Sequence, residues 1–150
     1  MDRISWDEYF MSMAELASKR STCLRRQVGA VIVKDNQLLA TGYNGAPKGL
    51  DNCCDLNECL RQKLGIPSGE RHELCRAVHA ENNAIIQCAV NGVSCKGGTL
   101  YVTASPCTTC IKQIINAGIS RVVAKEYYPD EMGKQMMLES GIQFEIFDKK

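Results

Sequence analysis

The chain has 150 residues, enough for one domain around one core (residues 1–150) but too few for two independent ones. Lys and Arg number 18 against 17 Asp and Glu, so no broad positive field exists to hold a polyanion, and a long nucleic-acid groove is argued against. A small anion needs only one or two local cations, which a near-neutral balance permits.

The opening MDRISWDEYF carries acids where a secretory leader needs a basic start and an unbroken apolar run, so a cytoplasmic protein is expected. No eighteen apolar residues run together, which argues against a membrane-spanning helix. From Ser5 to Lys19, Trp6, Tyr9, Phe10, Met13, Leu16 and Ala17 recur at helical intervals and predict a helix with one buried stripe. Val28 to Val33 is continuously apolar and β-branched. It predicts a central strand, hairpinned through Asp35-Asn36 to a second strand over Leu38 to Tyr43. Asn44 to Gly69, rich in glycine and with two adjacent cysteines, reads as a long irregular excursion of the kind that usually has a function.

A second helix is expected from near Val78 to a stop at Asn91-Gly92, followed by a strand over Thr99 to Ala104. Ser105 offers a cap and Pro106 suits a first helical position, so a third helix is expected to start there and end before Gly118. Arg121 to Ala124 reads as a parallel strand reached by a right-handed crossover. A further helix over Asp130 to Ser140 precedes an outer strand on which Ile142, Phe144 and Ile146 alternate with polar residues. The sum is an α/β fold, a mixed sheet with helices on both faces.

The chemistry is carried by His79-Ala80-Glu81 and Pro106-Cys107-Thr108-Thr109-Cys110. One imidazole and two thiolates, His79, Cys107 and Cys110, make three ligands for zinc and leave its fourth tetrahedral position open for water, the arrangement of a catalytic site. Zinc lowers the pKa of bound water from about 15.7 to about 7, and a carboxylate beside it, Glu81, can then move protons. Cys107 and Cys110 share one helical turn, and both motifs open helices, so two helix N-termini are expected to converge at strand ends. A C-x-x-C alone also serves as a structural half-site or a redox pair; either use leaves His79 and Glu81 without a task.

The H-x-E and P-C-x-x-C pair is the signature of zinc deaminases. The chain resembles the cytidine and deoxycytidylate deaminase superfamily over almost its whole length, through Val28-Gly29-Ala30-Val31-Ile32-Val33, Gly42-Tyr43-Asn44-Gly45-Ala46-Pro47-Lys48-Gly49, His79-Ala80-Glu81-Asn82-Asn83-Ala84-Ile85 and Tyr101-Val102-Thr103-Ala104-Ser105-Pro106-Cys107. The GYNGAPKG stretch resembles the deoxycytidylate branch, since riboflavin-pathway and tRNA deaminases differ there. The resemblance implies a three-layer α/β/α cytidine-deaminase-like fold with a five-stranded mixed sheet, and hydrolysis of deoxycytidylate (dCMP) to deoxyuridylate (dUMP) for thymidylate synthesis. It also implies a homo-oligomer, typically a hexamer, activated by dCTP and inhibited by dTTP, with Mg2+ accompanying the triphosphate.

By the same resemblance Asn44 contacts the substrate's sugar, although an asparagine after a strand also serves as a turn former. The substrate phosphate needs a cation. Arg26 is the first choice because guanidinium grips phosphate oxygens as a fork, and Tyr128 offers a hydroxyl; a solvated arginine and a half-buried aromatic are the plain alternatives. Some relatives hold a second, closed zinc, for which Cys23, Cys53, His72 and Cys75 are the expected ligands, with buried thiols and an exposed His72 as the alternative. Cys59, Cys88 and Cys95 are assigned to packing or surface. Two other functions stay open: deamination of another cytosine nucleoside, nucleotide or nucleobase, and a zinc-stabilised binding module without turnover.

Overall fold

Strands buried on both faces read as continuous apolar runs, because alternate side chains feed two different cores. The computed structural model, which describes residues 1–126 and 131–148, shows this arrangement. The five strands are β1 (Gly29–Lys34), β2 (Gln37–Tyr43), β3 (Thr99–Val102), β4 (Arg121–Ala124) and β5 (Gln143–Ile146), ordered β2-β1-β3-β4-β5. β1 runs antiparallel to β2 and β3, whereas β3, β4 and β5 are parallel. β1 is interior as expected, and β3 occupies the middle of the sheet.

Ala30, Ile32, Leu100, Val102, Val122 and Ala124 face a layer built from α4 (Ala80–Val90) and α5 (Thr108–Asn116). Their neighbours Val31, Val33, Tyr101 and Val123 face Phe10, Met11 and Ala14 of α1 (Trp6–Ser18) on the other side. Each fully buried Val, Leu or Ile contributes about 1.5–3 kcal/mol of transfer free energy. α6 (Glu131–Ser140) packs against α5. The expected three-layer mixed-sheet fold is therefore observed, and among the described residues no helix is long and apolar enough to cross a membrane.

Local chemistry sets the boundaries. Ser5 caps α1 by accepting a hydrogen bond from the Glu8 amide at 3.1 Å. Asp35 and Asn36 both take left-handed conformations, at φ 51° and 58°, which makes the tight turn of the β1–β2 hairpin. Two glycines allow helices to touch the sheet. A β-carbon on Gly29 would lie 2.0 Å from the Ala14 carbonyl oxygen, and one on Gly42 would lie 2.3 Å from that of Ala80.

Two boundaries differ from expectation. β3 ends at Val102, and α5 is capped by Cys107 and not by Ser105. Serine before proline suits a helix start locally, but the chain runs on without helix through Pro106, and the N-cap position falls on Cys107. The excursion after Tyr43 also contains two single-turn helices, α2 (Cys53–Leu56) and α3 (Leu60–Lys63), which its turn-rich composition did not predict.

The register decides where the site lies. Gly29 pairs with Tyr43, Ala30 with Val102, and Val102 with Ala124. The start of β1 and the ends of β2, β3 and β4 therefore share one edge of the sheet, which gathers Arg26, Asn44, Ser105 and Cys107 from distant parts of the chain.

Candidate active site

His79 and Cys107 are the N-caps of α4 and α5, both in extended conformation and neither using its side chain to cap. Their side chains are thus free to turn toward each other, and Cys110 joins them from the first turn of α5. The His79 Nδ1 atom lies 3.2 Å from Cys110 Sγ and 3.6 Å from Cys107 Sγ. Ala80 and Glu81 are the first two helical residues, and this position past a helix start lets Glu81 aim at the same point as its neighbour His79. Glu81 is only 4% exposed. Among the described residues, two triplets bring ligand atoms within 4.8 Å of one another: His79, Glu81 and Cys110, and His72, His79 and Cys107. The converging helix starts expected from the motifs are thus observed.

The protonation pattern fits a metal site. A hydrogen bond from Cys110, then one from His79, holds the Cys107 thiol down to about 3. The Cys110 thiol is pushed far up by its neighbour Cys107, by burial and by Glu81. Bonding to Cys107 raises His79 against the opposing effect of burial. Burial also pushes the Glu81 carboxyl up. Two thiolates and a carboxylate cannot all stay charged in one buried place without a cation. A dication removes that repulsion, and an imidazole with two thiolates is a donor set that zinc prefers.

His72 was expected among the ligands of a second metal, but its ring turns toward His79. Its Nδ1 lies 2.9 Å from His79 Nε2, and its Nε2 donates to the Gly69 carbonyl at 2.9 Å. Both ring nitrogens are thereby engaged. Because only an N–H can face that carbonyl, His72 Nδ1 is the acceptor for His79 Nε2–H, which leaves His79 Nδ1 to face the sulfurs. Among the described residues, Cys23, Cys53 and Cys75 are not one of the triplets whose ligand atoms lie within 4.8 Å of one another. Burial raises the Cys53 thiol, and the nearby Cys75, Cys23 and Cys59 raise it further; Cys59 is buried, as its expected packing role requires.

A cleft opens onto His79, Glu81 and Cys107. Asn44 borders it, buried, with Oδ1 accepting from the Val28 amide at 2.9 Å and Nδ2 donating to the Arg26 carbonyl at 2.7 Å. Each end of that amide keeps one further hydrogen-bonding position. Arg26 also borders the cleft, half-exposed and ion-paired with Glu126 at the end of β4. Tyr128 lies outside the described residues. The cleft lining also includes Arg25, Arg61 and Ser105, none of them expected as a site residue. The Ser105 hydroxyl is buried without a partner beside Cys107. Pro-Cys after Ser105 could have marked it; no local pattern marks the two arginines.

Comparison with known proteins agrees with this geometry. The family model described as "Cytidine and deoxycytidylate deaminase zinc-binding region" matches residues 4–126. Deoxycytidylate deaminase of Mycobacterium phage D29 is 44% identical over 136 residues, covering 87% of this chain and 99% of that one. Deoxycytidylate deaminase of Schizosaccharomyces pombe is 39% identical over 94% of this chain, but the chain spans only 44% of that protein's length. Among solved structures, the dCMP deaminase of cyanophage S-TIM5 in complex with dCMP and dUMP superposes with a TM-score of 0.79 at 33% identity, covering 98% of this chain and all of that one.

Proposed function

Because the chain belongs to the cytidine and deoxycytidylate deaminase family, we propose that it hydrolyses the exocyclic amine of dCMP, giving dUMP for thymidylate synthesis and ammonia. The observation that carries this reading is a buried carboxylate, Glu81, whose oxygen clusters with the ligand atoms of His79 and Cys110 and which lines a cleft together with His79 and Cys107. A zinc site that is only structural has no use for such a carboxylate, so a binding module without turnover is not favoured.

His79, Cys107 and Cys110 would hold the zinc, which when bound supplies a water acidic enough to attack the substrate near neutral pH. Glu81 accepts a proton from the attacking water, passes it to the ring nitrogen next to the reacting carbon, and then helps the amine leave as ammonia. Its burial favours the protonated carboxyl, which suits a group that must hold a proton between two transfers. Asn44 uses its spare hydrogen-bonding capacity on the sugar. Arg26 at the rim, with the Tyr128 hydroxyl, attracts the phosphate.

A second, closed zinc belongs to the same reading. Cys23, Cys53, His72 and Cys75 are its expected ligands, and His72 would have to leave its contacts with His79 and Gly69 to join them. Metal analysis of purified protein decides: two zinc atoms per chain support it and one refutes it. Hexamer formation, activation by dCTP with Mg2+, inhibition by dTTP and a cytoplasmic location complete the proposal. The first three are supported by the family resemblance.

Ammonia release across deoxycytidine, cytidine, dCMP and dCTP tests the substrate. dCMP is expected to react fastest; a preference for an unphosphorylated nucleoside, or no turnover of any of the four, overturns the proposal.

A further inference from the structure

Asparagine suits a helix interior poorly, because its side chain competes for nearby backbone groups. Asn83 lies within α4 nonetheless, and its side chain engages two peptide groups beside the site. Its Nδ2 donates to the Tyr43 carbonyl at 2.8 Å and to the Val78 carbonyl at 3.3 Å. The residues that follow those carbonyls are Asn44 and His79. The Asn83 backbone amide also donates to the His79 carbonyl at 3.0 Å, so one residue holds the peptide group on each side of His79. The seam around it is tight. Gly45 and Val78 form an antiparallel bridge, with the Gly45 amide 3.2 Å from the Val78 carbonyl and the Val78 amide 2.7 Å from the Gly45 carbonyl. A β-carbon on Gly42 would lie 2.6 Å from the Ala84 nitrogen, so β2 and α4 meet backbone to backbone.

We propose that Asn83 is a positioning residue for the deamination: it sets the spacing between Asn44 and His79 by tying together the peptide groups that precede them. This rests on the reading above, in which Asn44 meets the sugar and His79 holds zinc, and adds a residue which that reading does not use. A primary amide carries two N–H donors on one atom, one for each carbonyl, whereas aspartate has none and serine one. The two tied segments come from different layers, the end of a strand and the start of a helix, so their relative position is not set by either element alone. A displacement of about 1 Å between substrate and reacting group costs about 100-fold in rate, so the tie acts on kcat as well as on KM.

The test compares the full-length protein with Asn83→Leu, similar in size and without a donor, and Asn83→Ser, which keeps one donor on a shorter side chain. Zinc affinity is measured by competition with a chelator, and rates on dCMP are measured well below the melting temperature of each variant. Asn83→Leu is expected to weaken zinc binding about 10-fold and to lower kcat/KM about 100-fold, with kcat and KM both changed. Asn83→Ser is expected to lower kcat/KM about 10-fold, and it decides the matter should the leucine variant not fold. A double-mutant cycle isolates the sugar arm. With the tie already lost, Asn44→Ala is expected to cost about 10-fold less in kcat/KM than it does in the wild type. The proposal is overturned if the Asn83 variants melt lower with zinc affinity, kcat and KM unchanged, which would make Asn83 a structural tether only, or if the cycle is additive. If the wild type deaminates no cytosine compound, or Asn44→Ala leaves its kcat/KM unchanged, the reading above falls, and zinc affinity alone decides for Asn83.

Discussion

Replacing Glu81 by glutamine is the sharpest perturbation of the site, because it removes proton transfer while keeping shape. The side chain is 4% exposed in the first turn of α4, so an isosteric amide occupies the same buried volume. A positioned general acid–base group accounts for about 10²–10⁴ in rate, equivalent to about 3–5.5 kcal/mol of barrier. Glu81→Gln is therefore expected to lower kcat on dCMP by that factor, with zinc content unchanged by metal analysis. The metal-free protein gives a second, independent readout. Burial raises the Glu81 carboxyl in the folded state, so the native protein binds more protons there than the unfolded chain does. Its stability then falls as pH rises above the ordinary glutamate range, and glutamine removes that penalty. Metal-free Glu81→Gln should melt higher than metal-free wild type at pH 7. Less than a tenfold loss of kcat with zinc retained would refute the proton-transfer role, and an equal or lower melting temperature would refute the burial argument.

Loading zinc into metal-free protein near pH 7 should release protons chiefly from Cys110 and His79, whose affinities are raised, and none from Cys107, already a thiolate. Calorimetry in buffers of different ionisation enthalpy is expected to count one to two protons per catalytic zinc on the order of this bookkeeping; none would contradict the assigned states. Gly42→Ala forces a β-carbon against the Ala80 carbonyl and should cost about 3 kcal/mol and displace the His79 helix start, read as a lower melting temperature and weaker zinc retention. Asp7 accepts hydrogen bonds from Tyr101 at 2.6 Å and from both terminal nitrogens of Arg121 at 3.0 and 2.8 Å. Arg121 foremost, with Tyr101, holds the Asp7 carboxyl below its usual value, so this stabilisation is present above pH about 4 and lost as pH falls through the lowered value. Asp7→Asn should cost about 1 kcal/mol at pH 7, discounted for its partial exposure, and flatten the acid limb of the stability curve; an unchanged acid limb would count against the pair.

What was legible without coordinates is what depends on near neighbours. The apolar runs at Val28 and Arg121 announce buried strands because their period is local. The expected zinc ligands His79, Cys107 and Cys110 and the expected acid Glu81 stand in two short motifs, and the expectation follows from residue type and from lying at helix starts. The pairing that closes them into one site, and the sheet edge that adds Arg26 and Asn44, come from the register of strands far apart in the chain. Ser105, a cap by local pattern, lies outside α5, whose N-cap is Cys107, and it is buried and lines the cleft instead. Arg61 and the contact of His72 with His79 lie in the stretch between β2 and α4, which has no periodicity to read. There the path of the chain is set by packing against the finished sheet, so only the tertiary structure could decide which cation, ring or thiol ends up facing the cleft.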